Sequence, residues 1–142
     1  MHCIVSDNIM GVIWDKLLVN VATGAVCGIT HLPYGDMYQE DKLVATAVAA
    51  VQEGMDVAAK AGVKLTYSDP MDVLELARAG LPYDFKPSIL QSLEKHRPTE
   101  VGVINGAVVA QGAKHGVATP VNETLVACVT GIERYIREYI NK

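Results

Sequence analysis

The sequence has no basic stripe. Sixteen aspartates and glutamates outnumber 12 lysines and arginines, for a net charge of −4. That balance gives neither a nucleic acid nor an anionic membrane surface a cluster of cations to settle on. Cysteine is scarce. Cys3, Cys27 and Cys128 are an odd count without C-x-x-C spacing, and two of them lie in apolar helical patterns where a thiol behaves as a small hydrophobe. They read as reduced thiols in a cytoplasmic protein rather than as a disulfide framework. The four histidines, His2, His31, His96 and His115, form no H-x-x-x-H or H-x-x-H pair, so no metal site is expected. The longest apolar run, Leu17 to Ile29, is interrupted by Asn20, Thr23, Gly24 and Gly28 and falls short of the roughly 20 residues a bilayer requires. The opening MHCIVSDN has no basic segment leading into an apolar core, as a secretion signal would. No stretch alternates with period two for long enough to make a strand. No G-x-G-x-x-G follows a strand, and no β-α-β pattern provides the usual dinucleotide cradle.

What is present is helical periodicity in a chain of 142 residues, half of them apolar and a fifth charged, enough for one domain with its own core. Ser6 or Asp7 can cap a first helix running to about Ile29, apolar nearly all round and therefore central. Pro33, Tyr34 and Gly35 suggest a loop. Residues 39–61 form an alanine-rich helix whose Val44, Ala47, Val48, Val51, Met55 and Ala58 fall on one face, with Gly62 as a stop. Asp69-Pro70 is a cap followed by proline at the first helical position, and Gly80 closes that helix. Pro82 to Lys86 is a turn region, and a brief helix runs from Pro87 to about Lys95. Thr99 opens a helix with Val101, Ile104 and Val108 on its apolar face, ended by Gly116. Thr119-Pro120 opens the last helix, which carries Val121, Leu125, Val129, Ile132, Ile136 and Ile140 at helical spacing. Glu133 with Arg137, and Arg134 with Glu138, stand at the spacing of helical ion pairs. The expected fold is a single all-α domain.

Several polar residues stand out. In WDKLLVN, Lys16 and Asn20 lie one above the other on a helix, and Gly24 continues the stripe with a residue that has no side chain. Lys16 can simply extend its stem past apolar neighbours, and Asn20 can serve a nearby backbone. In PSILQSLEKHRPTEVGVINGAVV, Ser88 lies in the first turn of one helix. Glu100 lies at the start of another, where the helix dipole alone favours a carboxylate. Asn105-Gly106 costs helix propensity, and Gly106 suits close packing.

Together WDKLLVN, PSILQSLEKHRPTEVGVINGAVV and AKHGVATPVNETL resemble the C-terminal domain of the ketopantoate reductases (2-dehydropantoate 2-reductases). That family shows W-x-K-L-x-x-N on a helix, then S-M-x-x-D leading to T-E-x-x-x-I-N-G, then H-G-x-x-x-P-x-N. The match runs from about Ile9 to Leu125, and the three motifs occur in order at compatible spacing. The resemblance implies an all-α fold of the 6-phosphogluconate dehydrogenase C-terminal type over residues 1–142. It also implies a Rossmann NADPH-binding domain that would precede this one and is not in this chain, so the isolated chain is expected to be inactive.

The implied function is the substrate half of an NADPH-dependent 2-keto-acid reductase, converting ketopantoate to pantoate in pantothenate biosynthesis. The other class of reading is a non-catalytic helical dimerisation or interaction module. By resemblance Lys16 is the catalytic residue, Asn20 and Ser88 bind substrate, and Glu100 contacts the cofactor. Hydride reduction of a ketone places negative charge on its oxygen, and a lysine beside that oxygen can stabilise the charge and donate the proton. Partial burial, which lowers an ammonium pKa, is expected of it. Three positions depart from the family: an asparagine one turn beyond Asn20 is Gly24, a further asparagine is replaced near Tyr34, and the aspartate of S-M-x-x-D is Ser92. They point to a related 2-keto acid or a degraded substrate site. An exposed apolar docking side and a homodimer are also expected.

Overall fold

The structure, a computed structural model, describes residues 8–142. Its axis is α1 (Ile9–Thr30), which buries Trp14, Leu18 and every residue from Val21 to Gly28. Around it pack α3 (Asp41–Lys60), α4 (Pro70–Arg78), α5 (Ser88–Glu94) and α7 (Pro120–Tyr135). A short α2 (Tyr34–Gln39) and α6 (Asn105–His115) complete the set, and no strand occurs among the described residues. The all-α expectation holds. At 22 residues α1 is longer than its apolar run, and by length and composition alone it is capable of crossing a membrane. Yet 56% of its most apolar window is buried inside the domain, as befits the central helix of a packed core.

Local signals place several boundaries. The Asp69 carboxylate accepts the Met71 N–H at 2.9 Å with Pro70 at the first helical position, and Gly116 ends α6 in the left-handed conformation at φ 73°. Ser6 and Asp7, candidates for the first cap, lie outside the described residues. Asn8 occupies the N-cap position of α1, and its side-chain amide donates to the Lys64 carbonyl.

Four expectations are corrected. Residues 34–39 are helical rather than a loop, because the free N–H groups of Tyr34 and Gly35 donate to the carbonyls of Phe85 and Tyr83 at 2.9 and 2.7 Å. The helix expected from Thr99 is broken. A 3₁₀ turn, Val101–Val103, precedes Ile104 at φ −107°, ψ −89°, and α6 starts only at Asn105. Glu133 does not pair with Arg137; its carboxylate accepts the backbone N–H and hydroxyl of Thr99, both at 2.7 Å. Arg137 and Glu138 approach to 3.8 Å instead. Of the two described cysteines, Cys27 is core but Cys128 is exposed.

The polar interior of the I-N-G and P-V-N segments is structural. Asn105, fully buried, donates to Asn122 at 3.0 Å. Asn122 in turn donates to the Ala50 carbonyl and to Glu53. Glu53 on α3 also accepts the backbone N–H groups of Val121 and Asn122 at 2.9 and 3.0 Å. A carboxylate from a distant helix thus caps the proline-led start of α7.

Candidate active site

Within WDKLLVN each side chain goes a different way. Trp14 and Leu18 enter the core. Asp15 turns outward to accept the backbone N–H and hydroxyl of Thr66 at 3.2 and 2.6 Å, tying the loop after α3 to the central helix. Lys16 and Asn20 are exposed. Ile9, Val12 and Ile13, each more than half exposed, precede them on the same face. The spacing of 9, 12, 13, 16 and 20 is that of one helical stripe. The partial burial expected of Lys16 is not found in this domain.

Beyond Asn20 the stripe turns small, and α5 closes onto it. A Cβ on Gly28 would stand 2.7 Å from Ile89 Cγ2, and one on Gly24 would stand 3.1 Å from Ile89 Cδ1. Gly24 is therefore packed against Ile89 rather than left as open space. This close approach brings Ser88, the first residue of α5, onto the same cleft as Asn20.

The two polar residues line one cleft of about 240 Å³ between α1, α5 and the segment around Phe85. Lys16 and Glu100 stand outside its lining. Lys16 is exposed one turn back along α1, and Glu100 is exposed just ahead of the 3₁₀ turn, with its side chain capping nothing. The structure thus joins Asn20 with Ser88, and it joins neither of the other two to that cleft.

Sequence reasoning missed the cleft's aromatic wall. Tyr34 packs against Phe85 and Tyr38 with ring centroids 4.9 and 5.8 Å apart, and its hydroxyl shares a hydrogen bond of 2.8 Å with Thr23. Burial raises the Tyr34 pKa, although the bond to Thr23 opposes the shift, so the ring stays neutral. The one sequence signal was the departure near Tyr34. Gly35 carries no side chain because the Tyr83 ring lies where a Cβ would stand. The Tyr83 hydroxyl donates to Asp36 at 2.8 Å, fixing the 82–87 segment over α2. A second cleft, of about 160 Å³, lies at the far end of α7 and holds none of the four candidate residues. Among the described residues no group of three or more His, Cys, Asp or Glu is placed to hold a metal ion.

Comparison with known proteins converges on one domain type. The family model for the ketopantoate reductase PanE/ApbA C terminal matches residues 8–133. A 2-dehydropantoate 2-reductase of Archaeoglobus fulgidus is 33% identical over 121 residues, which are 85% of this chain and 40% of that protein. The crystal structure of a PanE/ApbA family ketopantoate reductase from Ralstonia eutropha JMP134 superposes with a TM-score of 0.83 at 31% identity, covering 94% of this chain and 44% of that one. A ternary structure of D-mandelate dehydrogenase with NADH and anilino(oxo)acetate gives 0.81 at 29% identity, covering 93% and 55%. The chain spans about two-fifths of the length of the curated relatives it matches.

Proposed function

From the premise that this chain belongs to the ketopantoate reductase C-terminal family, we propose that it is the substrate half of a nicotinamide-dependent 2-keto-acid reductase. The observation that carries the reading is the exposed stripe of α1. Ile9, Val12 and Ile13 offer an apolar surface, Lys16 follows, and Asn20 opens the cleft it shares with Ser88. An enzyme that works at the seam between two domains needs that order: a docking surface, then the reacting group, then the substrate pocket.

In this reading the Asn20 amide and the Ser88 hydroxyl hold the oxygens of the keto acid at the cleft rim. Lys16 reaches the keto oxygen and donates the proton that oxygen takes up as the carbonyl becomes an alcohol. A nicotinamide cofactor, which we take as NADPH, supplies the hydride when bound. The residues described here offer that cofactor Glu100 and no phosphate cradle: Asp69 and Glu53 already accept N–H groups at the starts of α4 and α7, and the cleft is far too small for a dinucleotide. Its phosphates belong on a Rossmann domain docked against Ile9, Val12 and Ile13, and this docking would also supply the burial that Lys16 lacks. The 142 residues alone are expected not to oxidise NADPH. A cytoplasmic setting and a homodimer belong to the same proposal, and sedimentation giving a pure monomer of the complete enzyme would remove the dimer from it.

The experiment joins the chain to the nucleotide-binding domain of a family member and measures keto-acid-dependent NADPH oxidation. Asn20→Ala and Ser88→Ala are expected to raise KM about tenfold or more, the cost of losing a hydrogen bond to a charged group. Unchanged KM in both would refute the substrate assignment.

A further inference from the structure

The lining of the cleft says more about the substrate than the family does. Of its polar side chains, Thr23 and Tyr34 are buried and bonded to each other, and the Tyr34 N–H is committed to the Phe85 carbonyl. That leaves Asn20 and Ser88, both exposed at the rim. A 2-keto acid brings three oxygens in its head group, two of the carboxylate and one of the ketone. The amide and the hydroxyl together donate three hydrogens. The head group therefore takes up the donors of the rim, and the acceptor oxygens of Asn20 and Ser88 stay at the exposed mouth beside it. The other side chains of the lining are Val19, Ala77, Leu81, Phe85, Ile89 and Ile104, all hydrocarbon, with Ala77, Ile89 and Ile104 buried and Leu81 exposed.

Resting on the reading above, that this cleft takes a 2-keto acid, we propose that it selects substrates whose side chain is a hydrocarbon and disfavours the hydroxylated side chain of ketopantoate. A hydroxyl buried against those walls gives up its water and meets no polar side chain except the Thr23–Tyr34 pair, already bonded to itself. Gly24 contributes to this selectivity directly. It supplies no polar group on the α1 face, and its lack of a side chain lets Ile89 form the floor of the cleft. The hydroxyl pair of Thr23 and Tyr34 retains one donatable hydrogen, which makes it the single competing partner for a substrate hydroxyl.

The test uses two keto acids that differ by one oxygen: ketopantoate and trimethylpyruvate, in which the terminal hydroxyl is replaced by hydrogen. Each is titrated into the isotope-labelled 142-residue protein, and the amide shifts of Val19, Asn20, Phe85 and Ser88 are followed. Trimethylpyruvate is expected to bind about 10- to 100-fold more tightly, the range in which an apolar pocket discriminates against an added hydroxyl. Tyr34→Phe, which removes the competing partner, is expected to leave that preference in place. Equal or tighter binding of ketopantoate at the same residues overturns the selectivity while sparing the site. So does selective loss of ketopantoate in Tyr34→Phe. If neither keto acid moves these resonances, the site reading fails and the selectivity falls with it.

Discussion

Ile89 of α5 lies so close to Gly28 of α1 that a Cβ there would stand 2.7 Å from Ile89 Cγ2. This contact sets the separation of the two helices and, through it, brings Ser88 to the cleft that Asn20 lines. Gly28→Ala forces the helices apart, because Cγ2 is fixed near the Ile89 backbone and cannot swing away. Overpacking of this kind costs about 1–3 kcal/mol, which after the gain of roughly 1 kcal/mol in helix propensity leaves a net loss of up to about 2 kcal/mol. At Gly24 the opposing atom is the far end of the same side chain, 3.1 Å away, so Gly24→Ala is expected to be near neutral. Urea unfolding of the two variants side by side checks the contrast.

The carboxylate of Glu53 receives two backbone N–H groups and the Asn122 amide at the start of α7. Glu53→Ala leaves those donors partly buried and unpaired. A lost cap and lost charge-assisted bonds together amount to roughly 2–4 kcal/mol. Glu53→Gln, which keeps one acceptor, should lose less. The same unfolding measurement reads both, and a neutral Glu53→Ala would show that water or Thr119 caps the helix equally well.

The parts of the fold that are legible in the sequence are those with local causes. Asp69-Pro70 and Gly116 mark helix ends from within their own segments, and the inward stripe of α3 is plain from its spacing. The misread parts have distant causes. α2 begins where carbonyls of residues 83 and 85 meet its free N–H groups, and Glu133 serves Thr99 across the fold instead of its helical neighbour. The break at Ile104 accompanies a buried Asn105–Asn122 pair that no local window contains. The candidate site divides the same way. Asn20 and Ser88 each have a local motif, but the aromatic wall facing them depends on how residues 82–87 fold back over α2.

Burial pushes the Cys27 thiol up to about 12 from an ordinary value near 9, and Tyr34 and Tyr38 are raised by burial as well. Folded pKa values above unfolded ones stabilise the protein fully below the unfolded pKa, and that contribution is lost as pH rises toward the folded one. Stability should therefore decline between about pH 9 and 12, and Cys27→Ala should flatten part of the slope. In a Cys3→Ser background a thiol reagent at neutral pH should modify Cys128 rapidly and Cys27 only on unfolding. Fast labelling of both would contradict the burial of Cys27.

Lys16 and Leu18 are two residues apart, one exposed and one 1% exposed. Lys16→Ala should change the stability of the domain by no more than about 0.5 kcal/mol, as for an exposed side chain without partners in the core. Leu18→Ala should cost about 2–5 kcal/mol. The half-buried Leu17 should fall between them. Calorimetric melting of the three variants separates the exposed stripe of α1 from its core face.

The central claim is that Lys16 gives the proton to the substrate oxygen, and its most direct measurement is kcat for Lys16→Ala in the chain joined to a nucleotide-binding domain. Loss of a positioned general acid lowers kcat by about 10²-fold or more, with KM little changed because Asn20 and Ser88 still hold the substrate. A folded Lys16→Ala enzyme with undiminished kcat would contradict the account.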